Sequence, residues 1–405
     1  MGFDSKSLAS TTCRSERALQ HHTFAFAQYG NALRLMRDFP SQAPDRRFRN
    51  TLISSLLTTC FENFIGNHKE ALRQAQAGVD VIFDQMEREA SNRNAEKLSS
   101  VFVDQDILGT FIRLDADVSM FRETHAATDR PRRRRAPSNF VLNNISATFS
   151  TVKEARLCWD ASVQKVAWRA IHFPEVFKTL SFGAGQIQDV LLKQDSVAER
   201  MRGNLMYLAD MAEQWYHAFL PLFERTRRDK PTSKSFMGGS LQMIRYLTSR
   251  FMTKYILAAN DSTFGPSVLF QDSVHIISLA RNVLEVAEDY KQPAQPRFVF
   301  DSGLVIALFT VAIRCRDGMI RGQAISLLWK YPRREKIWDS AMAATIATWL
   351  VKKEEESIID GFIPFSERLE LVRNDFLLSE RKVVVQCSKS VDGSRILLPE
   401  VTLRW

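Results

Sequence analysis

Only 5 of the 405 residues are cysteine, and they are scattered. Cys13, Cys60, Cys158, Cys315 and Cys387 lie more than forty positions from one another. Zinc needs about four ligands converging at roughly 2.3 Å, so no local zinc module is expected from this spacing. The same scatter excludes a disulfide framework and fits a reducing compartment. Cys60 and Cys315 fall on apolar stripes, where cysteine acts as a small hydrophobe.

Long hydrophobic runs are absent as well. The longest, from Gly303 to Ile313, is bounded by Asp301 and Arg314. A membrane span needs about 20 apolar residues, so this run reads as a buried helix and no membrane association is expected. The first seventeen residues, MGFDSKSLASTTCRSER, have no apolar centre and do not form a secretory signal.

Catalytic patterns are missing too. Gly183-Ala184-Gly185 lacks the third glycine and the preceding strand of a dinucleotide loop. Gly238-Gly239-Ser240 lacks the second flank of a nucleophile elbow and reads as a turn or N-cap. Asp104 with Asp106, and Asp115 with Asp117, are two apart; on a helix such pairs diverge by about 200°. His21 and His22 stand near the chain start, and the other histidines are isolated. No catalytic residue, metal ligand or cofactor site is therefore expected, and the chain is not read as an enzyme.

Charge is present and uneven. The net charge is +9, from 55 basic and 46 acidic residues. Arg130, Arg132, Arg133, Arg134 and Arg135 crowd between Asp129 and Pro137. Repulsion and proline favour an extended, solvated loop there. Such a run serves nuclear import or a polyphosphate contact, or it is simply a charged loop. A few phosphate contacts give non-specific affinity of about 10⁻⁴ to 10⁻⁶ M. That cannot select one promoter in a genome, so any DNA contact by this chain is expected to be non-specific or indirect. A smaller basic cluster holds Arg225, Arg227, Arg228 and Lys230.

Most of the remainder carries helical periodicity. Leu52, Ile53, Leu56, Leu57, Cys60, Phe61 and Phe64 mark one helix. Leu72, Ala75, Val79, Ile82, Phe83 and Met86 mark its return partner, with Gly66-Asn67 as the turn: an αα-hairpin. Further helices are predicted over 21–36, around 108–114, and over 146–172, 187–223, 239–258 and 267–290. Residues 299–350 then read as three short helices. Asp317-Gly318 separates the first two, and Pro332 ends the second or opens the third. The third carries Trp338, expected to pack between helices with Trp329 while Arg334 pairs or stacks at helix ends. At the C-terminus, Lys382–Gln386 is strand-like and Asp392-Gly393 marks a hairpin turn. Since an isolated hairpin is marginal in water, it must pack on helices.

Two islands carry a resemblance. One is Cys315-Arg316-Asp317, Ile320-Arg321, Ala324, Leu327-Leu328, Pro332-Arg333-Arg334-Glu335 and Trp338-Asp339. The other is Leu56-Leu57, Cys60, Phe61, Phe64, Gly66-Asn67, Ala71-Leu72 and Gly78. Together, and in this order, they resemble the helical regulatory domain of fungal zinc-cluster transcription factors, over residues 50–405. The six-cysteine DNA-reading module of that family, two C-x2-C-x6-C runs, has no counterpart among these cysteines.

The expected fold is all-α: an array of antiparallel helices with a small C-terminal β-hairpin. The expected organisation is an unstructured tail at 1–20, a first helical part at 21–121 and a basic loop at 122–140. The main helical body at 141–380 and the hairpin tail at 381–405 complete it. The resemblance implies a nuclear regulator of transcription, shared with the cytoplasm at most, whose relatives often accompany secondary-metabolite pathways. It would act as a homodimer or with a zinc-cluster partner that reads DNA, and an inter-helical cavity could admit a small-molecule effector. The alternative is a helical interaction scaffold with no transcriptional role. Gly66, Asp317, Pro332, Arg334 and Trp338 are expected to serve structure rather than chemistry.

Overall fold

The computed structural model describes residues 5–36, 44–91, 106–111, 113–114, 145–170, 196–258, 267–288, 297–301, 303–359, 363–391 and 394–405. Helices dominate them. They are α1 (Ser5–Met36), α2 (Pro44–Ile65), α3 (His68–Ser91), α4 (Val152–Ala170) and α5 (Ser196–Thr226). After these come α6 (Lys234–Leu257), α7 (Ser267–Glu288), α8 (Leu304–Arg314), α9 (Gly318–Lys330) and α10 (Ser340–Glu355). A short helical stretch at 106–111 and 113–114 lies between α3 and α4.

The chain start departs from expectation. Residues 5–20 belong to α1 rather than to an unstructured tail. No proline or glycine interrupts residues 3–29, so nothing in the backbone stops helix propagation there. The expected hairpin forms: α2 and α3 pack together, with Gly66 at φ +86° in the turn. Its inner face is the anticipated one only in part: Leu52 and Leu56 pack in the hairpin core. Leu57 and Phe64 are each 62% exposed, whereas Thr58, Thr59, Glu62 and Asn63 are buried. For Thr58, Thr59 and Glu62 the reason is hydrogen-bond pairing. Thr58 and Thr59 return hydrogen bonds to backbone oxygens one turn back, and Glu62 accepts from Tyr29 at 2.7 Å and Asn67 at 2.8 Å. A buried polar group that finds partners no longer opposes burial.

The larger core centres on α8. Every residue of α8 except Ile306 is buried, as a helix that is hydrophobic all round requires. It packs against α6, α7, α9 and α10, while α4, α5, α6 and α7 pack in succession. The glycines at 238 and 239 sit inside α6 rather than in a turn, and the N-cap is Ser233. A Cβ at Gly239 would collide with Thr226 of α5.

Between α9 and α10 the structure departs from the helix predicted there. Instead of running directly into a third helix, the chain forms a small sheet. Its strands are β1 (Arg297–Val299), β2 (Arg333–Glu335) and β3 (Trp338–Asp339). The β1–β2 pair is parallel and the β2–β3 pair antiparallel. Trp338 therefore lies on a strand, and α10 starts two residues later. Pro332 forces the residue before it out of the helical region, and Tyr331 adopts φ −117°, ψ 75°. Lys336, at φ +53°, then makes the tight return. Trp338 is 2% exposed and faces Phe309 at 5.9 Å, as a core residue should, but Trp329 is 46% exposed and does not pack between helices.

The C-terminal unit is a four-stranded antiparallel sheet. Strands β4 (Glu370–Leu377) and β5 (Lys382–Val391) pair first; β6 (Ser394–Leu397) and β7 (Val401–Arg404) share the other edge of β5. The sheet thus begins at Glu370, eleven residues ahead of the expected boundary. Val383, Val385 and Cys387 alternate inward at zero exposure and join the α8-centred core. This supplies the helix packing that a hairpin needs.

Candidate functional site

The two sequence islands meet in space. Gly66 closes α2 in the left-handed region, which glycine occupies without penalty. Beside it, Arg334 of β2 donates from Nη1 to the carbonyl oxygen of Phe64 at 3.3 Å. This satisfies one of the orphan carbonyls at a helix C-terminus and places a cation at the negative end of the dipole. Arg334 Nε also lies 3.6 Å from Asp339 Oδ2.

The neighbouring residues of the motif each tie a different element. Glu335 is buried, and its Oε2 accepts from the amides of Gly303 at 2.9 Å and Val305 at 3.1 Å, capping α8. Its Oε1 pairs with Arg333 Nε at 2.9 Å. Asp339 Oδ1 accepts from Ala341 and Met342 at 2.9 and 3.0 Å, capping α10. Asp317 Oδ1 accepts from Ile320 at 2.9 Å, capping α9. One short segment therefore fixes the ends of α2, α8 and α10. Of the residues singled out in sequence, Gly66, Pro332, Arg334 and Trp338 belong to this hub, and Asp317 serves the adjoining helix. The arginines at 130 and 132–135 lie outside the described residues.

A second cluster joins the hairpin region to the main body. Asp301, on the turn between β1 and α8, receives three guanidinium groups. Arg245 Nη2 is 2.8 Å away, Arg156 Nη2 3.0 Å and Arg113 Nε 3.5 Å. Behind it, buried Asp160 pairs with Arg113 at 2.6 Å. Burial alone would raise the Asp301 carboxyl, but Arg245, Arg113 and Arg156 hold it below the usual carboxylate range.

A third cluster is buried under the C-terminal sheet. Glu354 lies 2.6 Å from Arg321 and 3.1 Å from Arg316, and it accepts from the Leu369 amide at 2.7 Å. Glu370 bonds to Arg314 and Tyr255. Burial would raise Glu370, yet Arg314, the Tyr255 hydroxyl and Arg316 keep it low and ionised. Three inward-facing guanidinium groups thus meet two buried carboxylates. Breaking one partner of such a pair leaves an uncompensated buried charge.

None of the three clusters presents a poised nucleophile. Burial pushes the Cys387 thiol up to about 12 and raises Cys158 and Cys60 as well. Burial also lowers His68, which sits 4.7 Å from the Phe376 ring and stays neutral near pH 7. Among the described residues, no group of three His, Cys, Asp or Glu is placed to hold a metal ion, and no helix is long and apolar enough to cross a membrane.

In the sequence, Glu335 and Asp339 stand out only as members of the first island. Asp339 had a readable signal, an aspartate just ahead of a helical run. Asp301, Asp160, Glu354 and Glu370 had none, because their partners lie far away along the chain.

No known family profile matches this chain, and no solved structure matches it. A stretch of 61 residues, 15% of the chain, is 39% identical to the aspercryptin biosynthesis cluster-specific transcription regulator of Emericella nidulans. That stretch spans 10% of the length of the relative. Over it, the chain is similar to a fungal transcription regulator.

Proposed function

We propose that this protein is a fungal transcription regulator that works by binding rather than by catalysis. Its helical body is the regulatory part, and a zinc-cluster partner or a second copy supplies the reading of DNA. The single observation that carries this reading is the 61-residue similarity to a cluster-specific transcription regulator. In this reading the genes it controls are those of one metabolite biosynthesis pathway, and its place of action is the nucleus. The arginine run at 130 and 132–135 is the import signal in this reading. The largely helical fold and the structural use of the motif residues are consistent with it, since neither requires a reaction centre.

A second reading, an interaction scaffold without a transcriptional role, draws on one observation. Phe24 and Leu35 of α1 and Leu57 and Phe64 of α2 are exposed large hydrophobics. The two readings part in the cell. Deletion of the gene, with transcript profiling, is expected to change one cluster of biosynthetic genes, and a tagged copy is expected in nuclei. Replacing the five arginines with glutamine is expected to leave the tagged copy in the cytoplasm. Exclusion of the intact protein from nuclei, with no transcript altered by deletion, would favour the scaffold and refute the regulator.

A further inference from the structure

Three guanidinium groups converging on one partly exposed aspartate make an unusual arrangement for a purely structural pair. Arg113, Arg156 and Arg245 come from the 113–114 helical stretch, α4 and α6, and all lie within 3.5 Å of Asp301. Lys336 also acts on that carboxylate. The inner anion is Asp160, whose side chain is 5% exposed. Asp301 and Arg156, at 35% and 34%, form the solvent-facing side. Four cations thus surround two carboxylates, and the outer carboxylate is the accessible one. A guanidinium is a planar fork that matches a carboxylate with two parallel hydrogen bonds. It also stays charged at any physiological pH. Nothing about the triad requires its carboxylate to come from position 301.

We propose that Arg113, Arg156 and Arg245 form a binding site for a small-molecule carboxylate, which Asp301 occupies in the free chain. A ligand entering from solvent would replace Asp301 on the same three guanidinium groups. Asp301 stands two residues before Gly303, whose amide Glu335 holds. The proposal stands apart from any role in transcription.

Chemical rescue tests it on the full chain. Asp301→Ala is expected to melt below the wild type in sodium chloride. Sodium acetate at equal ionic strength is expected to raise the Tm of that variant saturably, by roughly 2–4 °C. The wild type should shift less, because Asp301 competes, and Asp301→Ala combined with Arg156→Gln should lose the response. Asp106→Ala removes an exposed carboxylate that pairs with Lys153 and should show no rescue. Where Asp301→Ala gives too little folded protein, Asp301→Asn is titrated with acetate by calorimetry, and saturable binding is expected. Absence of an acetate effect beyond chloride, or an equal effect on Asp106→Ala, overturns the site. Rescue by phosphate and not by acetate overturns the carboxylate assignment.

Discussion

The α2–α3 hairpin and the α8–α10 region are both helical, both carry the resemblance, and are held by different forces. The α8–α10 region sits inside the large apolar core, with Val305, Ala307, Val311 and Ala312 fully excluded from water. The hairpin has its own small core of Leu52, Ala75, Val79, Ile82, Phe111 and Leu114. Much of what fastens it to the body is polar: Arg334 to Phe64, Arg113 to Asp160 and Asp301, and Lys153 to Asp106. Rings add to this where Phe64 meets Phe298 and His68 meets Phe376. Apolar burial at about 25 cal/mol per Å² holds the first region. The exposed Lys153–Asp106 pair contributes little and is screened by salt, whereas the Arg113–Asp160 pair is buried and costly to break. The comparison teaches that similar periodicity can build an apolar centre and a flank fastened largely by polar contacts in one chain.

The strongest way to break the comparison is Trp338→Ala. It removes a fully packed indole from the large core and is expected to cost about 3–5 kcal/mol. Both regions should lose stability together, because the hub goes with it. A melting temperature near wild type would show that the position is not core. A smaller and more local effect is expected for Gly78→Ala. A Cβ there would collide with the Phe111 ring and Ser55 Oγ, and overpacking of this kind costs about 1–3 kcal/mol. Faster amide exchange in α2, α3 and 106–111, with α8–α10 unchanged, is the expected pattern. Equal acceleration in both regions would mean that the hairpin is not a separate cooperative unit.

What was legible in sequence follows from where the signals live. Gly66, Asp317 and the β-branched run at 383–385 announce themselves locally, and each does in the structure what its residue type suggests. The buried helix α8 was legible from its unbroken apolar run. Strand β3 was not, because Trp338-Asp339 becomes a strand only by pairing with Arg334 and Glu335. The polar inner face of α2 was hidden for a similar reason: Glu62 is buried only because Tyr29 and Asn67 reach it. The Asp301 cluster draws partners from positions 113, 156 and 245, and no local pattern could have united them. Short-range chemistry is written in the sequence; long-range pairing of charge appears only once the chain is folded.

The contact between the two islands, Arg334 on the Phe64 carbonyl, holds the hairpin against the body. Hydrogen exchange on Arg334→Met tests this most directly, since methionine keeps the stem but loses the guanidinium. The expected cost is about 1 kcal/mol, read as faster exchange at the end of α2 and the start of α3 while α8–α10 keep their wild-type protection. Unchanged exchange across residues 60–72 would contradict the account.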